Sequence, residues 1–162
     1  MEIDQILNAA RETIGSVKTA LAITVDSAGV AQARGVWTGP LKPDWTLRFC
    51  TRRRTRKVAD IERTGNLTLA YATETAHVSL VGHARINDDV EQKQAAWTPA
   101  GYRWHPKGPT DPDVVFVEFA IDQIEIWSSP HGLIPDPSIG LWASQLIRTP
   151  DGWRQQTTLP GS

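Results

Sequence analysis

Six of the seventeen Lys and Arg residues of this chain fall in one ten-residue window, Arg48 to Lys57 (RFCTRRRTRK), which holds no acidic residue although the formal net charge of all 162 residues is −1. The charge is therefore local. Within it, Thr55, Arg56 and Lys57 combine a hydroxyl that can cap a helix, a planar fork for two phosphate oxygens and a point charge, all within one turn. The window begins as a strand, with Thr46, Leu47 and Phe49 around Arg48, and ends as a helix in which Val58 and Ile61 form an apolar stripe. A strand feeding a helix N-terminus offers the amides and dipole that a phosphate site uses. A solvated surface and a nucleic-acid patch are the competing readings of such a run. A sequence pI of about 6.4, with 18 acids against 17 bases, weighs against a polyanion. One compact phosphate suits the cluster better than a polymer does.

Other reactive residue types are sparse. Cys50 is the only cysteine and cannot form an internal disulfide; its place in an apolar strand reads as a buried structural thiol, and no chemistry is assigned to it. His77, His83, His105 and His131 show no metal-ligand spacing, so no metal is expected. The chain contains no Gly-x-Ser-x-Gly elbow, no Gly-x-Gly-x-x-Gly after a strand and no Gly-Lys-Ser/Thr loop, which removes the main support for hydrolase, Rossmann and P-loop chemistry. No catalytic acid, base or nucleophile is identified.

With 40% hydrophobic and 22% charged residues over 162 positions, the composition fits one globular domain with a real core. No stretch approaches the roughly 18 apolar residues of a membrane span, and MEIDQILNAARETIG carries acids where a signal peptide needs a basic then apolar run, so a cytoplasmic location is expected.

The elements that must position the basic window follow from periodicity. Ile3, Ile6, Leu7, Ala10 and Ile14 recur at helical spacing, predicting a helix over 2–14 that ends at Gly15. Residues 19–26 and 30–38 read as a hairpin around Ser27-Ala28-Gly29. Then come a strand over 46–51, a helix over about 55–63, strands over 66–73 and 77–86, and a helix over 88–98 opened by an acidic cap. The stretch 99–113, with Trp97, Tyr102 and Trp104 among prolines and glycines, is too aromatic for a disordered linker and reads as a packed loop. Residues 114–121 and 124–127 read as two strands broken at Asp122-Gln123. Around Pro150-Asp151-Gly152, residues 145–149 and 153–157 read as a terminal hairpin, with a helix over 138–147 as the alternative. The class is α+β, mainly β: six or seven mostly antiparallel strands in a barrel or sandwich with two or three peripheral helices.

In this order the pieces resemble the flavin-binding split barrels related to pyridoxamine 5'-phosphate oxidase, and most closely the general stress proteins among them. The resemblance spans about Ile6 to Pro130, leaving 131–162 as a C-terminal extension. It rests on Arg34-Gly35-Val36-Trp37, on Phe49-Cys50-Thr51 followed by Thr55-Arg56-Lys57-Val58, on His77-Val78-Ser79-Leu80-Val81-Gly82, and on Glu125-Ile126-Trp127-Ser128-Ser129-Pro130. Trp97-Thr98-Pro99, Trp104-His105-Pro106-Lys107-Gly108 and Asp111-Pro112-Asp113 lie between the last two. It implies an antiparallel split barrel binding FMN at a homodimer interface. Arg34 and the backbone near Val36 and Trp37 would run along the flavin edge, and Thr51, Thr55, Arg56 and Lys57 would take the phosphate, with Cys50 beside Thr51 on the cofactor-lining strand. His77 matches a residue that reaches the flavin from the neighbouring subunit, and Trp127 matches an aromatic beside the ring. Arg52, Arg53 and Arg54 exceed what one phosphate requires, so they are solvated, paired with acids, or available to a larger ligand such as FAD; a deazaflavin is a further option.

The sequence also departs from the vitamin B6 oxidases. Those enzymes carry an Arg-x-His-x-x-Arg-like cluster after the matched Trp, whereas SSPHGLIPDPS follows Trp127 here and contains no Arg. The resemblance therefore implies an FMN-dependent oxidoreductase, with a small-molecule donor such as a reduced nicotinamide and an unidentified acceptor, rather than a pyridoxamine phosphate oxidase. Arg34 is then the cation best suited to stabilise the anionic reduced flavin. A flavin sensor or reservoir without turnover is the alternative from another class.

Overall fold

The computed structural model describes residues 1–135, 138 and 143–156. Its frame is an eight-stranded antiparallel sheet: β1 (Thr19–Val25), β2 (Ala31–Trp37), β3 (Thr46–Arg52), β4 (Asn66–Ala72), β5 (Ala76–Asn87), β6 (Val114–Ser128), β7 (Ser144–Thr149) and β8 (Gly152–Gln155). The order runs β2-β1-β4-β5-β6-β7-β8, and β3 pairs with the N-terminal half of β6. Because β6 is fifteen residues long, its first half carries β3 and its second half carries β7. The sheet curls toward closure without completing it: β2 and β3 pair nowhere as strands, and the chain beyond β2 meets β3 through the Gly39 N–H donating to the Arg48 carbonyl at 2.7 Å. This is the split barrel, with one strand more than the six or seven that periodicity counted.

Alternation along the strands sorts inside from outside. Leu67, Leu69 and Tyr71 of β4, Val78 and Leu80 of β5, and Phe119, Ile121, Ile124 and Ile126 of β6 are all buried on the inner face. Each such side chain contributes about 1.5–3 kcal/mol by leaving water. Helix α1 (Ile3–Ser16) lays Ile6, Ala9, Ala10 and Ile14 on the same core.

Several boundaries differ from the sequence expectations for visible reasons. Gly15 does not end α1, which runs on to Ser16 and is followed by extended Val17. Helix α3 occupies only Val90–Ala96, because Asp89 rather than Asp88 caps it by accepting from the Gln92 N–H at 2.8 Å. The packed loop contains two 3-10 turns, Pro99–Arg103 and Gly108–Thr110. Asp122-Gln123 does not break β6: Val81 pairs with Gln123 and Gly82 with Ile121, so Asp122 is the extra residue of a bulge. Gly82 is needed there, since a Cβ would lie 2.0 Å from the Ala120 carbonyl oxygen. The terminal hairpin forms as β7 and β8, so residues 144–147 are strand rather than helix, and 138 and 143 are not helical either; 139–142 lie outside the described residues, as does residue 157.

Candidate functional site

Helix α2 (Arg56–Thr64) follows β3 after a short turn and packs near β1 and β5. Thr55 occupies its N-cap position, but the Thr55 hydroxyl donates backward to the Arg52 carbonyl at 2.9 Å and makes no cap bond. The first turn contains no acid and two cations, Arg56 and Lys57. Cations at the positive end of a helix are electrostatically unfavourable, and the first-turn N–H groups lack a capping side chain. Among the described residues neither Arg56 nor Lys57 has a carboxylate partner.

Arg34 adds a third cation. It is an inward-facing residue of β2, and its Nη1 donates to Thr24 Oγ1 at 2.7 Å and to the carbonyls of Gln32 (3.0 Å) and Ala22 (3.3 Å). The Thr24 hydroxyl in turn donates to Asp60 Oδ2 at 2.7 Å, and Asp60, buried in α2, also accepts from Arg63. The guanidinium is thus fixed by one edge while its Nη2 is buried with no hydrogen-bond partner. Burial holds the Arg34 guanidinium below its ordinary value, with Asp60 opposing and Arg56 adding to the effect. Burial also lowers the Lys57 amino group, and the Arg34 charge lowers it further.

Three of the four other arginines of the basic window are already paired. Arg48 bonds Glu118 at 3.1 Å, Arg52 bonds Asp111 (3.5 Å) and Asp113 (3.4 Å), and Arg53 bonds Glu62 and Asp88. Arg54 is exposed. The six cations of the window thus divide into Arg48, Arg52 and Arg53, neutralised by acids, the exposed Arg54, and Arg56 and Lys57, which have no acidic partner among the described residues.

Of Arg56 and Lys57, Lys57 lines a cavity of about 570 Å³ over the split between β2 and β3. One wall is strand: Gly35, Val36 and Trp37 of β2, and Phe49, Cys50 and Thr51 of β3, with Lys57 beside them. The facing wall comes from α3 and the first 3-10 turn, with Trp97, Thr98, Gly101, Trp104 and His105. Trp37 and Trp104 meet edge to face across it, ring centroids 5.7 Å apart.

Of the residues singled out from the sequence, Val36, Trp37, Cys50, Thr51 and Lys57 line this cavity. Arg34, Thr55 and Arg56 lie outside its lining, Arg34 being turned to the inner side of the sheet toward Thr24. His77 and Trp127 also lie outside it. They are directly opposite in the β5–β6 ladder, with rings stacked at 5.6 Å and 23° on the outer face of the sheet. The Cys50 thiol is pushed up to about 11, chiefly by burial, so it stays protonated at neutral pH.

The second wall was not read as part of a site from the sequence, and neither was the Thr24–Asp60 support. The aromatic cluster between Trp97 and Trp104 was the available signal. His105 is 7% exposed, and burial first, then Arg52, lowers its imidazole below the ordinary histidine value against Asp111 and Asp113. Among the described residues no group of three or more His, Cys, Asp or Glu side chains is placed to hold a metal ion, and no helix is long and apolar enough to cross a membrane.

Comparison with known proteins gives this geometry a context. No functionally curated protein matches the sequence. A protein related to general stress protein 26 of the pyridoxine phosphate oxidase family from Clostridium acetobutylicum superposes with a TM-score of 0.69 at 21% identity, over 80% of this chain and 92% of that one. A pyridoxamine 5'-phosphate oxidase-related, FMN binding protein from Nostoc punctiforme gives 0.65 at 15% identity, over 98% and 97%. The general stress FMN/FAD binding protein from Xanthomonas citri gives 0.61 at 20% identity, over 76% and 87%. At such identities these likenesses show a shared fold. The sequence profile described as Pyridoxamine 5'-phosphate oxidase like matches residues 5–136, well over half of the chain. The chain belongs to the pyridoxamine 5'-phosphate oxidase-like family.

Proposed function

We propose that the cavity and its cationic border hold FMN, and that the protein is a flavin-dependent oxidoreductase of the general stress type. The observation that carries this reading is the buried Arg34 Nη2, without a hydrogen-bond partner, next to two unpaired cations at the N-terminus of α2. A phosphate would give the orphaned N–H an acceptor, reverse the unfavourable charge at the helix end, and meet the open first-turn amides. Thr51 and Lys57 carry that chemistry into the cavity, where Val36, Trp37 and Phe49 offer an apolar bed for a planar ring. Because Arg52 and Arg53 are committed to acids, the free cations match one phosphate, which favours FMN over FAD.

The bound flavin would supply reversible hydride and electron transfer. This chain's residues would fix the phosphate, exclude water from one face of the ring and set the local charge, with Lys57 the unpaired cation in the lining, Arg48 paired with Glu118 beside it and Arg34 behind the strand wall. Pyridoxamine phosphate is disfavoured as substrate. The segment SSPHGLIPDPS after Trp127 contains no Arg, and His131 within it is held at both nitrogens, Nδ1 by Ser128 Oγ at 2.7 Å and Nε2 by Glu12 at 2.7 Å.

We further propose that a second copy covers the outer face of β1, β2, β4 and β5. That face presents Leu21, Val25, Trp37 and Val81 exposed, together with Ile23, Ala33 and Ala70. A contiguous apolar patch of this kind marks an interface. It is continuous with the cavity through Gly35 and Trp37 and carries the His77–Trp127 stack, so face-to-face pairing can bring that stack toward the partner's cavity.

Replacing Arg56 and Lys57 together by Ala should abolish FMN binding while leaving circular dichroism unchanged; full binding by the double variant would refute the site. Steady oxidation of NADH or NADPH by the flavin-loaded protein separates an oxidoreductase from a flavin reservoir.

A further inference from the structure

The cavity has two chemically different sides, and the flavin reading uses only one of them. The strand wall leads to the phosphate cations. The opposite wall, built by Trp97, Trp104 and His105 with Phe116 at its back, puts no charged side chain of its own into the lining; the nearby Arg103 is exposed, its guanidinium 5.1 Å from the centre of the Trp104 ring. The only cations in the lining are Lys57, at the phosphate side, and Arg48, whose charge is met by Glu118 at 3.1 Å and whose guanidinium lies 5.1 Å from the centre of the Phe116 ring. His105 is more than nine-tenths buried, and its Nδ1 has no hydrogen-bond partner; among the described residues no partner is found for Nε2 either. A buried imidazole left unsatisfied in a cavity wall costs free energy that a ligand's polar group can recover. Its surroundings favour the neutral ring, which offers one N–H donor and one acceptor nitrogen.

We propose that this wall is a second subsite that takes an uncharged planar conjugated ring bearing a carbonyl oxygen, of the quinone class, with His105 hydrogen-bonded to that oxygen and Trp37 and Trp104 against the ring. The indoles supply edge and face contacts suited to a flat conjugated ligand. With Arg103 exposed and no charged side chain of this wall in the cavity lining, a carboxylate, a phosphate or an ammonium group is disfavoured on this side. That the ligand lies opposite a flavin rests on the proposed function; the wall and its unsatisfied histidine do not depend on it.

The test is calorimetric titration of the purified protein with tetramethyl-1,4-benzoquinone, whose ring has no free position for Cys50 to attack. It would be run on wild type, His105→Phe, His105→Gln and the Arg56→Ala/Lys57→Ala double variant. The expected result is saturable binding that His105→Phe weakens about tenfold, the worth of one neutral hydrogen bond. His105→Gln, which keeps a donor and an acceptor, should weaken it less. The double variant should lose FMN yet bind the quinone like wild type, so failure of the flavin reading and failure of the subsite give different patterns. Equal binding by wild type and His105→Phe, absence of binding, or simple competition between FMN and the quinone would each overturn the subsite. Thermal melts of each variant confirm that a loss is not unfolding.

Discussion

Arg34 and Lys57 come from different elements, and the charge of Arg34 adds to burial in holding the Lys57 amino group below its ordinary value. Neither residue has an acidic partner among the described ion pairs, and the nearest carboxylate acting on Arg34, that of Asp60, is taken up by Thr24 and Arg63. The ligand-free protein therefore holds like charges together at this end of the barrel, and the phosphate of the proposed FMN would relieve their repulsion.

This gives Lys57→Met a two-sided outcome. Lys57 has a folded pKa below the ordinary 10.5, so the unfolded chain holds the extra proton between the two values. Stability of the ligand-free protein should rise with pH through that interval, the penalty being fully present below the folded value. Lys57→Met should raise the ligand-free melting temperature at neutral pH and flatten that slope. FMN affinity should fall about 10- to 150-fold, the worth of one charge-assisted hydrogen bond of roughly 1.5–3 kcal/mol. Scanning calorimetry against pH, with and without FMN, checks both sides.

Affinity for FMN should also weaken on the alkaline side at a lower pH than an ordinary lysine would dictate, because Lys57 gives up its charge early. Titrations across that range in wild type and Lys57→Arg decide the point: the arginine variant should keep its affinity where the wild type loses it.

Thr24→Val tests how Arg34 is held. The substitution removes a buried hydroxyl that links Arg34 Nη1 to Asp60 Oδ2 through two bonds of 2.7 Å. Leaving the buried carboxylate short of a donor should cost about 1–3 kcal/mol in urea unfolding. FMN affinity should drop about tenfold through misplacement of the guanidinium. Unchanged affinity with lowered stability would make Thr24 purely structural.

Gly82→Ala probes the bulge. With the Ala120 carbonyl 2.0 Å from the added Cβ, backbone must move on one of the two longest strands, and a loss of about 3 kcal/mol is expected. His131→Ala, by contrast, removes the tie between Ser128 at the end of β6 and Glu12 of α1. Glu12 is largely exposed, so the expected loss is about 1 kcal/mol, with FMN binding unaffected.

Much of this was legible in the chain because it depends on local pattern. Alternation exposed the strands, and the strand-to-helix junction at Thr51–Lys57 exposed the cluster that holds Arg56 and Lys57. The continuity of β6 was hidden because a polar pair in an apolar run looks like a turn, and only the facing Gly82 reveals a bulge. The sorting of the arginines was equally hidden. Asp111 and Asp113 reach Arg52 from about sixty residues away, and Asp88 reaches Arg53 from thirty-five. Thr55 was placed correctly at the helix start, yet its hydroxyl turns to Arg52 rather than capping, a choice between two near-equal local bonds that sequence does not encode. His105 gave no signal because burial and lack of a partner are properties of the packed loop, not of residue type.

The central claim is that this barrel holds FMN through the cations at the start of α2. The most direct test is the visible absorption spectrum of the protein as purified, followed by mass identification of whatever ligand heat releases, with FMN titration into any colourless preparation. Flavin bands with released FMN, or binding of added FMN that the Arg56→Ala/Lys57→Ala variant loses, is the predicted result. A colourless protein that fails to bind added FMN would contradict the account.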